Sequence, residues 1–180
     1  MTTSGTDSKQ LTFGSADADP FCSTDGQWLY YIDQTDNQSL KRVSVDGGSP
    51  ETILSPSNGI TNLSPDGKSL AGYEVRELDH KLTLKIYTID DKKFFYHDVD
   101  QKATWPMQFA PDGKGVVYSV IQKGVSNLWL QPLDNSPIRQ LTHFTSESIG
   151  AIRFSRDGAK IAIERGHSES DAVLLRDTTR

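Results

Sequence analysis

Four aspartates sit in one recurring setting: Asp25, Asp66, Asp112 and Asp157, each followed by a glycine, Gly26, Gly67, Gly113 and Gly158. A ring of carboxylates could bind a cation or share a proton in acid–base work. Their neighbours point elsewhere. Ser64-Pro65-Asp66-Gly67 and Ala110-Pro111-Asp112-Gly113 are turn sequences. Proline presets the first central dihedral, aspartate accepts hydrogen bonds from nearby backbone N–H groups, and glycine takes a positive φ without steric cost. All eight residues are therefore expected to build hairpins. His80, His97, His143 and His167 lie 17, 46 and 24 residues apart, which matches no helical ligand pattern, so no metal is expected. Cys22 is alone, which removes an intrachain disulfide and a cysteine-based zinc site. Serine hydrolysis needs a Gly-x-Ser-x-Gly elbow, and none occurs. No catalytic residue and no cofactor is expected, and the chain reads as a non-enzyme. Aromatic and arginine side chains dominate binding hot spots, which leaves Trp105, Arg76 and Arg165 as the candidate binding residues. Trp28 and Trp129 fall within strands and read as packing.

Charge narrows the partner. Twenty-four acidic against nineteen basic residues give a net charge of −5. A nucleic-acid surface needs clustered Lys and Arg to release counterions, so a protein or peptide partner is expected instead. No apolar run approaches the length of a membrane span, and no membrane contact is expected. The first eight residues lack the basic and apolar regions of a secretion signal and read as a disordered leader to a soluble segment. They do not fix the compartment.

The elements that must hold these residues follow from the spacing. The Asp-Gly pairs lie 41, 46 and 45 residues apart, the mark of one structural unit copied along the chain. Each pair is flanked by strand-like runs, such as Met107 to Phe109 and Gly115 to Val120. A third run ends on Asp46, Asp90 and Asp134, spaced 44 and 44 residues. In it Leu82, Leu84 and Ile86 alternate with Thr83 and Lys85, as in a strand with one buried face. A fourth run follows: Glu51 to Leu54, Phe94 to Asp98, Ile138 to Thr142. Four strands in about 44 residues is a β-propeller blade. The expected fold is all-β, with four-stranded antiparallel blades at about 15–56, 57–100, 101–144 and 145–180. Residues 9–14 are expected as a spare fourth strand, because Gln10-Leu11-Thr12 matches Gln140-Leu141-Thr142. The last blade should reach its third strand, Ala172 to Arg176. Pairing the spare strand there would close a four-bladed ring. Four blades is the small limit of the range, so a partial arc cut from a larger propeller is favoured. Exposed edges would also allow two arcs to pair as a homodimer.

Ser-Pro-Asp-Gly-Lys at Ser64 to Lys68, its near copy at Ala110 to Lys114, and Leu128-Trp129-Leu130 followed by Gln140-Leu141-Thr142 resemble the WD-repeat-like units of TolB-type propellers. The resemblance covers roughly Gln10 to Arg176. The Trp-Asp dipeptide of eukaryotic WD repeats is absent, so their buried polar network is not carried over. Ile161 to Gly166 with Ser170 to Arg176 resembles the end of large bacterial proteins in which such a propeller follows a serine/threonine kinase or winged-helix domain, commonly across a membrane span. No Gly-rich nucleotide loop, His-Arg-Asp or Asp-Phe-Gly occurs here. The resemblance implies a non-catalytic interaction or sensory module at the carboxyl end of a bacterial signalling protein, extracytoplasmic where the parent is membrane-anchored. Two alternatives stand beside it: the gating propeller of a prolyl-oligopeptidase-like serine peptidase, and a stand-alone periplasmic TolB-like adaptor.

Overall fold

The computed structural model describes residues 8–167 except Asn58 and Arg156. Among them the only regular elements are strands. β1 (Asp17–Cys22), β2 (Trp28–Asp33), β3 (Ser39–Ser44) and β4 (Glu51–Leu54) form one antiparallel sheet in chain order. β5 (Ile60–Leu63), β6 (Ser69–Val75), β7 (Leu82–Thr88) and β8 (Lys93–Asp98) form a second. β9 (Ala103–Phe109), β10 (Gly115–Gln122), β11 (Val125–Pro132) and β12 (Arg139–Gln140) form a third, and β13 (Ser148–Phe154) pairs with β14 (Ile161–Gly166). The chain is an all-β arc of four-stranded antiparallel blades, the architecture the repeat predicts. The expected third strand of the last blade, Ala172 to Arg176, lies outside the described residues, as do residues 1–7. Residues 9–14, expected as a strand, pair with no described strand. Their expected partner is that third strand, and within the described residues the Lys9 ammonium donates to the Asp46 carbonyl of blade 1.

The Asp-Gly turns share one geometry. In each, the glycine N–H returns to the carbonyl three residues earlier, for example Gly67 to Ser64 at 2.9 Å, and the glycine φ lies between 69° and 73°. This is a type I turn closed by a left-handed glycine. Asp66 Oδ1 accepts the Ser64 hydroxyl at 2.6 Å and the Lys68 N–H at 3.1 Å, while Ser64 Oγ accepts the Ser69 N–H at 2.9 Å. Ser23 with Asp25 and Ser155 with Asp157 repeat this exchange. In the third copy Ala110 has no hydroxyl, and Asp112 keeps only the Lys114 N–H at 3.0 Å.

The serine hydroxyl is the main cause that holds the carboxyls of Asp25, Asp66 and Asp157 below their usual 3.8. A carboxyl depressed by folding stabilises the fold above its unfolded pKa. That stabilisation disappears as pH falls below about 3.8 and through the lower folded value. Urea midpoints measured from pH 5 to pH 2 should therefore fall less steeply in a Ser23→Ala/Ser64→Ala/Ser155→Ala variant than in the parent. Parallel curves would remove the turns from the acid response.

The fourth strands differ between blades. A longer run, Ile138 to Thr142, is expected in blade 3, yet β12 spans only Arg139–Gln140. Beyond it the Leu141 N–H still donates to the Leu128 carbonyl at 2.7 Å, and side chains continue the pairing. Thr142 Oγ1 accepts the Leu128 N–H at 2.9 Å, and Asn127 Oδ1 accepts the Phe144 N–H.

The apolar core lies between blades rather than within one. Tyr30, Ile32 and Leu40 of blade 1 meet Ile60, Leu70 and Tyr87 of blade 2. Ala71, Leu84 and Ile86 of blade 2 meet Met107, Phe109, Val116, Tyr118 and Val120 of blade 3. Val117 and Leu128 then meet Ile149 and Ile152 of blade 4. Alternation explains the arrangement: Val116 and Val117 are adjacent in β10 and point to opposite neighbours. Each large side chain buried this way contributes about 1.5–3 kcal/mol. The first strands approach one another on the concave side, β5 beside β9 and β9 beside β13.

Candidate functional site

The concave side encloses a cavity of about 450 Å³. Its walls come from the first strand of every blade: Phe21 and Cys22 of β1, Asn62 and Leu63 of β5, Trp105 to Gln108 of β9, and Gly150, Ala151 and Arg153 of β13. Phe21, Asn62, Gln108 and Arg153 each stand four residues before the aspartate of their own turn. The turn fixes the register of the first strand, and the pleat then sends the same position of each copy toward the axis. Three of these four side chains are polar.

Arg153 is the charged side chain of the lining. One of its N–H groups donates to the Ile152 carbonyl at 2.7 Å, and a guanidinium has five donors. Gln108 Oε1 is buried without a hydrogen-bond partner, an acceptor that an incoming N–H would satisfy. Trp105, 46% exposed, stands edge-on to Tyr73 with ring centroids 5.6 Å apart and is joined to Pro106 by a cis peptide bond. Burial pushes the Tyr73 phenol up, and its hydroxyl donates to the Thr104 carbonyl at 3.3 Å. Among the described residues no carboxylate and no histidine lines the cavity. Among the described residues no three His, Cys, Asp or Glu side chains gather as a metal site.

The three residues picked from sequence fall in separate places. Trp105 lines the central cavity. Arg76 lies in the β6–β7 hairpin, with its guanidinium 2.9 Å from Asp79 and 3.4 Å from Asp98, so its charge is matched locally. Arg165 lies in β14, where it covers the Phe144 ring at 3.8 Å and pairs with Glu147 at 3.5 Å. It also donates to the Ser146 carbonyl. Arg76 thus ties its own hairpin to β8, and Arg165 ties β14 to the segment that leads into β13. Asn62, Gln108 and Arg153 were not picked, although the constant offset from Asp-Gly would have found them. A larger cavity, about 610 Å³, opens between blades 3 and 4, but only those two blades supply its walls.

No protein-family model and no curated protein sequence matches the chain. Solved structures do. TolB from Acinetobacter baumannii is 20% identical with a TM-score of 0.64, over 82% of this chain and 37% of that one. A putative TolB from Agrobacterium tumefaciens is 18% identical with a TM-score of 0.68, over 87% and 57%. An oligogalacturonate lyase from Vibrio parahaemolyticus is 19% identical with a TM-score of 0.67, over 87% and 49%. The chain thus spans between about a third and three fifths of the length of these structures. At such identities the likeness is one of fold, a TolB-like propeller arc.

Proposed function

We propose that the chain is a non-catalytic binding module of the TolB-like adaptor kind, working outside the cytoplasm, and that its central cavity holds an extended segment of a protein partner. The observation that carries this is the ring of equivalent positions, Phe21, Asn62, Gln108 and Arg153, converging on one cavity from four blades. Rigid blades fix the backbone, and the lining supplies what a peptide needs. Arg153 takes a carboxylate and Trp105 offers a flat apolar face, while Gln108, whose Oε1 is fully buried, reaches a backbone N–H only by turning its side chain. A place at the carboxyl end of a bacterial signalling protein is compatible with this use. It rests on the resemblance of residues 161–176 alone.

The test is selection of linear peptides from a displayed library on the purified chain, followed by calorimetry on the best binder. Arg153→Glu should weaken that binder at least about tenfold, since it turns an attractive contact into a repulsive one. Binding unchanged by Arg153→Glu would refute the proposal. Because a lyase shares this fold, the same preparation is also assayed on oligogalacturonate, peptide and ester substrates, with no turnover expected. Turnover abolished by one substitution in the cavity would refute the non-catalytic assignment.

A further inference from the structure

The lining of the central cavity changes character along the inner strands. Nearer the Asp-Gly turns it is polar: Asn62, Gln108 and Arg153 each stand four residues before their turn aspartate. Farther from the turns it is apolar: Pro106 and Ala151 stand six residues before theirs, beside Trp105 and Gly150. Ala151 and Arg153 are two apart in β13 and both face the cavity, which sets the two levels about 6.6 Å apart. The ladders change at the farther level as well. Every first strand shifts register against its second strand there: β1 between Ala18 and Phe21, β5 between Ile60 and Asn62, β9 between Thr104 and Met107, and β13 between Ile149 and Ala151. A bulge leaves its extra residue out of the ladder and re-aims the side chain. In β9 the residues left out are Trp105 and Pro106, and both line the cavity. At the nearer level Arg153 is exposed, and among the described residues it pairs with no carboxylate.

We propose that the cavity selects segments carrying a large apolar residue and an acidic residue two positions apart, with the apolar side chain beside Trp105 and the carboxylate on Arg153. The inference rests on the peptide binding proposed above and adds the motif that is bound. Residues two apart in an extended chain share a side and lie about 6.6 Å from each other, which is the separation of the two levels; residues one apart face opposite walls. Charge chooses the acid. Arg153 is the charged group of the lining, and a basic residue in the segment would meet it with repulsion. The farther level chooses the apolar residue, because Trp105 offers an aromatic wall there while Gly150 and Ala151 bring at most a methyl group.

The test titrates three capped, fluorophore-labelled pentapeptides into the purified chain: Ser-Leu-Ser-Glu-Ser, its reverse Ser-Glu-Ser-Leu-Ser, and Ser-Leu-Glu-Ser-Ser, in which the two residues are adjacent. The better of the first two should bind at least about tenfold tighter than the third, as burial of one leucine side chain allows. Ala151→Leu fills the farther level and Trp105→Ala removes its wall, and each should bring that ratio to about one. Arg153→Glu should abolish binding of all three. Spaced and adjacent peptides that bind equally overturn the inference, as does a ratio that survives both Ala151→Leu and Trp105→Ala. Library-selected peptides that depend on Arg153, beside pentapeptides that do not bind at about 1 mM, overturn the motif and leave peptide binding standing. A library that yields no Arg153-dependent peptide, with no pentapeptide bound, overturns both.

Discussion

Leu84→Ala should lower the melting temperature by about 5–15 °C, the equivalent of about 2–5 kcal/mol for a chain of this size. Leu84 is fully buried, and its cluster draws on both blade 2 and blade 3, so truncation leaves a cavity that neither blade can close alone. Leu78→Ala is the control. That leucine is 96% exposed in the β6–β7 hairpin, and its loss should stay within about 0.5 kcal/mol. Thermal melts of the two variants beside the parent decide the matter. Equal shifts would mean that the blades do not share a core. Hydrogen exchange refines the result. Protection should fall first on both sides of the blade 2–blade 3 junction and last in blade 1, as nearest-neighbour coupling requires.

Gly72→Ala should destabilise the fold by about 3 kcal/mol while removing no contact at all. Gly72 faces Ile60 across the β5–β6 ladder, where the register shifts between Ile60 and Asn62. A methyl group there would stand 2.5 Å from the Gly59 carbonyl oxygen and 2.8 Å from the Ile60 Cα. Both obstacles are backbone, so β5 itself must move. β5 also carries Asn62 and Leu63 into the central cavity, and peptide binding should weaken together with stability. A melting temperature equal to the parent's, with binding retained, would show that the sheet absorbs the methyl group.

Much of the fold was readable because one short signal recurs. Asp-Gly at near-constant intervals gives the blade period. The one buried face expected of the run ending at Asp90 is corrected by β7, in which Thr83 and Lys85 are buried like Leu84 and Ile86 because neighbouring blades cover both faces. What repeats is legible; what depends on a distant partner is not. Arg165 was picked as an anchor because Glu147 and the Phe144 ring, which engage it, lie 18 and 21 residues away in sequence, whereas Asp79, the nearest partner of Arg76, stands only three residues on and its pairing depends on the β6–β7 turn. The shortness of β12 was hidden for a similar reason: Asn127 and Thr142 replace the ladder with side-chain bonds across a gap that no local pattern reveals. Residues 9–14 carry the sequence of a fourth strand, and the segment expected to pair with them, Ala172 to Arg176, lies outside the described residues. Arg153 and Gln108 were within reach. Superposing the copies on their aspartates puts both in one column, and polar residues in a column that should be strand interior are themselves a signal.

That column also separates two kinds of change open to the chain. Packing is set by side chains facing the adjacent blades, and register by the turns. At the inward position Phe21 still belongs to the packing set, stacked on Tyr30 with ring centroids 5.2 Å apart, while Asn62, Gln108 and Arg153 belong to neither. Those three are the letters of an address, one per copy, that can be rewritten at least cost to the scaffold. In the proposed use, a change of ligand edits single letters, while duplication or loss of a whole copy changes the length of the word.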